Sequence, residues 1–128
     1  MSLRYLLLAT ALTTAALPVV QAHAAGDAAK GSTVFNEECA DCHSIKEGKN
    51  KKGPSLFGVV GRASGSNADF NYSAAMKASG LIWSPDRIDA YIHDPKAVVP
   101  GGKMKYDGLP EAQARADLIA YLAAKGQP

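Results

Sequence analysis

From residue 25 to residue 128 the chain holds only 25 large apolar side chains (Val, Ile, Leu, Met, Phe, Tyr and Trp) in 104 residues. Most of its other apolar content is alanine and glycine, which bury little area. Two long stretches, residues 46–54 and 63–71, carry no hydrophobic period. So little burial is a weak counterweight to the conformational entropy of a chain this long. The sequence therefore predicts an interior completed by something other than its own side chains.

That count starts at Ala25 because the residues before it read as a secretory signal. Arg4 supplies a positive start, residues 5–16 are apolar apart from threonines, Pro18 ends the run, and Ala22-His23-Ala24 resembles a small-residue cleavage site. The apolar run is shorter than the roughly 20 residues that a membrane-spanning helix needs. The expected organisation is a cleaved signal over 1–24 and one domain over 25–128, exported to the periplasm. The formal net charge of the whole chain is +2, with one unit from Arg4. A balance so close to neutral gives no case for nucleic acid. Lysines nevertheless cluster, at Lys46, Lys49, Lys51 and Lys52 and again at Lys96, Lys103 and Lys105, while Asp86, Asp89, Asp94, Glu111 and Asp117 fall on later segments.

The expected elements are all helical. Asp27 can cap a first helix that buries Val34 and Phe35 and runs toward Cys39. Residues 48–53 form a basic, turn-rich loop, and residues 56–60 a short apolar patch. Residues 72–79 suit a short helix closed by Gly80. Ser84-Pro85-Asp86 opens another helix, with Ile88, Tyr91 and Ile92 on one face and Pro95 as its stop. Residues 100–108 read as an extended loop. Pro110-Glu111 begins a last helix with Leu118, Tyr121 and Leu122 inward and Gly126 at its end. No segment alternates long enough to predict a strand.

The segment that carries chemistry is Cys39-Ala40-Asp41-Cys42-His43, the C-x-x-C-H pattern of covalent haem attachment. Near a helix end, residues three apart face the same side, so both thiols can meet the two vinyl groups of one haem. The adjacent His43 is then placed to offer its imidazole to the iron. Three rivals are weaker. A thioredoxin-like pair wants an alternating α/β chain, a zinc site wants four ligands, and a plain disulfide leaves the neighbouring His unexplained.

An electron-carrying haem iron commonly takes a second protein ligand. His23 leaves with the signal, His93 lies at a helix end facing solvent, and Met76 suits core packing. Met104 follows Pro100-Gly101-Gly102-Lys103 in a loop where glycine permits close backbone approach. A thioether opposite His favours reduced iron and raises the potential.

Taken together, these residues resemble the class I cytochrome c family, near the mitochondrial type and its short bacterial periplasmic relatives. The likeness spans nearly all of 25–128: Gly31 with Phe35, the attachment motif, Gly53-Pro54, Gly61-Arg62, Tyr72-Ser73, Trp83, Tyr91, Pro95-Lys96, Pro100-Gly101, Lys103-Met104 and Tyr121. The resemblance implies an all-α fold wrapped around one covalently bound haem c and its iron, with Cys39 and Cys42 as attachment points and His43 and Met104 as axial ligands. It implies that the Pro54 carbonyl accepts a hydrogen bond from His43, and that Arg62, Tyr72 and Trp83 sit near the haem propionates. Tyr91 would hydrogen-bond toward the Met104 sulfur, and Phe35 and Tyr121 would pack where the first and last helices cross at Gly31. Two departures stand out: Gly102 replaces a threonine that anchors a propionate, which implies a more mobile loop, and Met76 replaces a polar Asn.

The implied function is a soluble, monomeric electron carrier without substrate turnover. The implied partners are a cytochrome bc complex, a terminal oxidase, a photosynthetic reaction centre or a periplasmic dehydrogenase. Lys46, Lys52, Lys96, Lys103 and Lys105 are the candidate docking face. The competing expectations are a haem enzyme or sensor with an open sixth site, and a module detached from a dehydrogenase complex.

Overall fold

A computed structural model describes residues 25–126. The predicted signal lies outside the described residues. Five helices follow one another: α1 Ala28–Glu38, α2 Ala74–Ala78, α3 Pro85–His93, α4 Pro95–Val98 and α5 Ala112–Ala123. No strand occurs among the described residues; a single antiparallel bridge joins Ala63 to Ile82.

The helix starts follow local chemistry. The Asp27 carboxylate accepts the Ala29 N–H at 2.8 Å and the Lys30 N–H at 3.2 Å, which satisfies two orphan donors of α1. Ser73 caps α2 through Met76 N–H at 3.1 Å, and Ser84 caps α3 with Pro85 in the first turn. Pro95 ends α3 but does not end helical structure. Asp94 caps the short α4 by accepting Ala97 N–H at 3.1 Å, with Pro95 again in the first turn. Asp94-Pro95 is the same start signal as Ser84-Pro85, so this helix was legible and passed over.

The main packing event is α1 across α5. A Cβ at Gly31 would lie 1.9 Å from the Asp117 carbonyl oxygen, so the two backbones touch where only hydrogen fits. Phe35 and Tyr121 meet beside this crossing with ring centroids 5.6 Å apart. Leu118, 2 % exposed, seals the crossing from within; Leu118→Ala would cost about 2–5 kcal/mol.

Two buried charges belong to this framework. Asp117, one of the acids on the later segments, is buried; its carboxylate accepts the Asp27 N–H at 2.8 Å and Gln113 Nε2–H at 2.9 Å. It therefore fastens the start of α1 onto α5. Asp89 accepts from Arg115 Nε at 2.8 Å, and the buried Arg115 also donates to the carbonyls of Leu109 and Pro110 at 2.8 and 2.7 Å. This arginine joins α3, α5 and the segment between them, with its N–H groups satisfied rather than stranded.

Loops wrap the remaining side. The basic loop after His43 is stapled from inside: buried Ser44 donates to Lys49 O at 2.5 Å, and buried Ser55 donates to Lys46 O at 2.6 Å. The long return from α4 to α5 is pinned where Leu109 N–H meets Ile92 O at 2.8 Å. Gly108 precedes that contact at φ +108°, and a Cβ there would lie 2.0 Å from His93 O.

Candidate functional site: an apolar cavity at the end of helix α1

Helix α1 ends by delivering the attachment motif. Cys39 N–H and Ala40 N–H both reach Phe35 O at 2.9 Å, and the turn continues with Cys42 N–H and His43 N–H to Cys39 O at 3.1 and 2.9 Å. The i, i+3 and i, i+4 bonds keep Cys39, Cys42 and His43 on one edge, as the spacing predicts. All three border a cavity of about 360 Å³. Its other walls come from across the chain: Leu56 and Val59, Trp83, Ile88 and Tyr91, Leu118 and Leu122, and the Met104 loop. The thin core is thus explained. The large side chains line a hollow instead of filling one, and the volume falls in the range of cofactor sites.

His43 is held in one state. Its Nδ1 lies 2.7 Å from Pro54 O, and because a carbonyl only accepts, Nδ1 carries the proton. Nε2 is left with a free lone pair. Burial lowers the pKa of this imidazole, against the opposing pull of the Pro54 carbonyl, with nearby Lys51 lowering it further. Both effects favour the neutral ring, whose Nε2 lone pair could then hold a metal. Gly53 packs against it so closely that a Cβ would lie 2.3 Å from Cε1. Burial pushes the Cys39 thiol up to about 12, with Glu38 and Cys42 adding to the shift.

The sequence matches the cytochrome c family over residues 28–125. The chain belongs to the cytochrome c family. It is 50% identical over 97 residues to a cytochrome c2 of Rhodopila globiformis, covering 76% of this chain and 92% of that protein. It is 51% identical over 98 residues to a cytochrome c of Theileria annulata, covering 76% of this chain and 84% of the relative. Cytochrome cH from Methylobacterium extorquens superposes with a TM-score of 0.73 at 42% identity, over 78% of this chain and 100% of that one. The fold is the all-α class I arrangement. Like its family, this cytochrome c is an electron-transfer protein, not an enzyme, and carries one covalently bound haem c with its iron.

The residues present fit that group. An apolar hollow needs an apolar occupant, and two thiols and one neutral imidazole share its edge. The other residues that the resemblance places around the haem border the same space: Pro54, Arg62, Tyr72, Trp83, Tyr91 and Met104. Arg62 donates to Phe57 O at 3.0 Å and Ser55 O at 2.9 Å, which fixes the guanidinium while leaving other N–H donors for an anionic group. Trp83 and Tyr91 pack as a tilted aromatic pair, 4.9 Å between centroids. Burial raises the Tyr91 phenol, which therefore remains a hydrogen-bond donor. Tyr91 and Met104 share this cavity and a smaller one beside it, but no hydrogen bond joins them. Met76, a departure from the family's usual Asn, adds an apolar wall. His93 is exposed and outside the cavity, as its helix-end position predicts.

The candidate docking lysines divide. Lys52, Lys103 and Lys105 border the cavity mouth, whereas Lys46 is exposed but does not line the cavity. Lys96 instead pairs with Asp107 at 3.2 Å, and the Lys103 ammonium is engaged by Asn71 O and lies 5.0 Å from the Phe70 ring centroid. Sequence reasoning missed Gly53 as the residue that seats the imidazole, and it missed Phe70 and Tyr106 as cavity walls. Phe70 and Tyr106 sit in segments without period, so only the fold brings them in.

Proposed function

We propose that the protein is a soluble, monomeric periplasmic cytochrome that exchanges single electrons through a haem linked at Cys39 and Cys42 and ligated by His43 and Met104. The observation that carries this reading is the Pro54–His43 hydrogen bond at the cavity edge. It occupies Nδ1 and leaves Nε2 for the iron, on a ring that borders the same cavity as Met104.

When bound, the haem supplies the one-electron iron couple. The chain does the rest. Cys39 and Cys42 fix the macrocycle in register, and His43 and Met104 offer nitrogen and sulfur donors from opposite segments. Apolar walls exclude water, which limits solvent rearrangement when charge changes. Arg62, Tyr72 and Trp83 offer N–H and O–H donors suited to the propionates, and Tyr91 stands ready to donate toward the Met104 sulfur.

Lys46, Lys52, Lys96, Lys103 and Lys105 form the proposed docking side, with Lys52 and Lys105 the two that line the cavity and are exposed without an internal partner for the ammonium among the described residues. A positive mouth suits an acidic surface on a cytochrome bc complex, terminal oxidase, photosynthetic reaction centre or periplasmic dehydrogenase. Export rests on the charged, apolar and small-residue pattern of residues 1–24. No helix among the described residues is long and apolar enough to cross a membrane. The test is a redox titration of the holoprotein with carbon monoxide added to the reduced form. A reversible one-electron wave and no carbonyl adduct at neutral pH are expected. Ready carbonyl formation would mean an open iron and overturn the assignment.

A further inference from the structure

Tyr106 and Glu38 meet across the cavity mouth. The Tyr106 hydroxyl donates to Glu38 Oε2 at 2.7 Å, joining residues 68 positions apart. Glu38 ends α1 immediately before Cys39, and Tyr106 lies two residues beyond Met104. Both border the large cavity, and the half-buried Tyr106 ring packs against the core. One hydrogen bond thus ties the loop carrying Met104 to the helix carrying the attachment cysteines.

The loop's other anchors lead elsewhere. Gly102 N–H returns to Val99 O at 3.0 Å, the Lys103 ammonium reaches Asn71 O on a different wall, and Leu109 N–H bonds Ile92 O at 2.8 Å. Opening the loop at the mouth must therefore break the Tyr106–Glu38 contact. The donor is held by a packed ring, so the bond is preorganised, while the exposed acceptor keeps its strength near that of an ordinary hydrogen bond.

We propose that Tyr106 and Glu38 are positioning residues, a strap that holds the Met104 loop closed over the haem and so governs how readily a foreign ligand reaches the iron. This rests on Met104 being the sixth ligand. The closed-to-open equilibrium should shift by about three- to tenfold when the strap is cut, the size of an ordinary net hydrogen bond, because solvent screens the charge of exposed Glu38.

The experiment is imidazole binding to the ferric holoprotein at neutral pH, followed by loss of the near-infrared methionine-to-iron band. Tyr106→Phe and Glu38→Ala should each raise imidazole affinity by about three- to tenfold, and the double variant should bind no more tightly than either alone. Glu38→Gln keeps an acceptor oxygen and should restore affinity to near the native value. A native band with unchanged affinity in Tyr106→Phe, or additive effects in the double variant, overturns the strap alone. A native protein without the band overturns the Met104 ligation and the strap with it.

Discussion

The His43 Nδ1–H is aimed at the Pro54 carbonyl oxygen, 2.7 Å away, across a loop of 11 residues. Gly53 packs against the Cε1 side of the ring, where a Cβ would lie 2.7 Å from Nδ1 and 2.8 Å from Nε2, and so restricts its rotation. The backbone of residues 53 and 54 therefore orients the imidazole, while burial, helped by nearby Lys51, lowers its pKa against the pull of the Pro54 carbonyl.

Gly53→Ala tests that packing. The new Cβ would sit 2.3 Å from His43 Cε1 and 2.7 Å from Nδ1, so the ring or the loop must move. Overpacking of this kind costs about 1–3 kcal/mol. Guanidinium unfolding of the holoprotein should report that loss, and the electron paramagnetic resonance g-values of the ferric form should shift as the ring tilts. Native stability with unshifted g-values would show that the loop yields freely.

Asp117 gives a prediction about acid. Its carboxyl is held below the ordinary value of 3.8, first by the Asp27 N–H and then by Gln113. A depressed folded-state pKa contributes stability above the unfolded value, and that contribution is lost as pH falls through the folded one. Asp117→Asn should therefore be less stable than the native protein near neutrality. The gap should narrow below pH 3.8. Chemical unfolding at several pH values checks this; a gap independent of pH would remove the charge from the account.

Much of this was legible in the sequence, for identifiable reasons. Caps at Asp27 and Ser84 are local, and so are the spacings that place Cys39, Cys42 and His43 together. The shortage of large apolar residues announced the cavity. Helix α4 was lost because Pro95 was read only as a stop. The buried roles of Asp117 and Arg115 were hidden because charged residues are seldom buried, and what buries them here are partners far along the chain. The two-ended hold on the Met104 loop depends on Glu38, 68 residues from Tyr106, which no local pattern can reveal.

Charge reversal tests the docking side. Lys52 and Lys105 border the mouth and are exposed, whereas Lys125 lies by Tyr121 with its ammonium 5.2 Å from that ring centroid. Lys52→Glu with Lys105→Glu should slow second-order electron transfer to an acidic acceptor at low salt and flatten its ionic-strength dependence. Lys125→Glu should do much less. The native rate should fall steeply as the Debye length shrinks to about 8 Å at 0.15 M. A flat native profile would point to apolar docking around the cavity mouth.

The most direct measurement is the near-infrared absorption of the oxidised holoprotein, native against Met104→Ala. Thioether sulfur on ferric haem iron gives a weak band there that nitrogen and water ligands do not. The account predicts the band in the native protein, its loss in Met104→Ala, and a lower reduction potential in a variant that stays folded and coloured. A band that survives the substitution would mean that another residue, with Met76 the other methionine on the cavity wall, holds the sixth position.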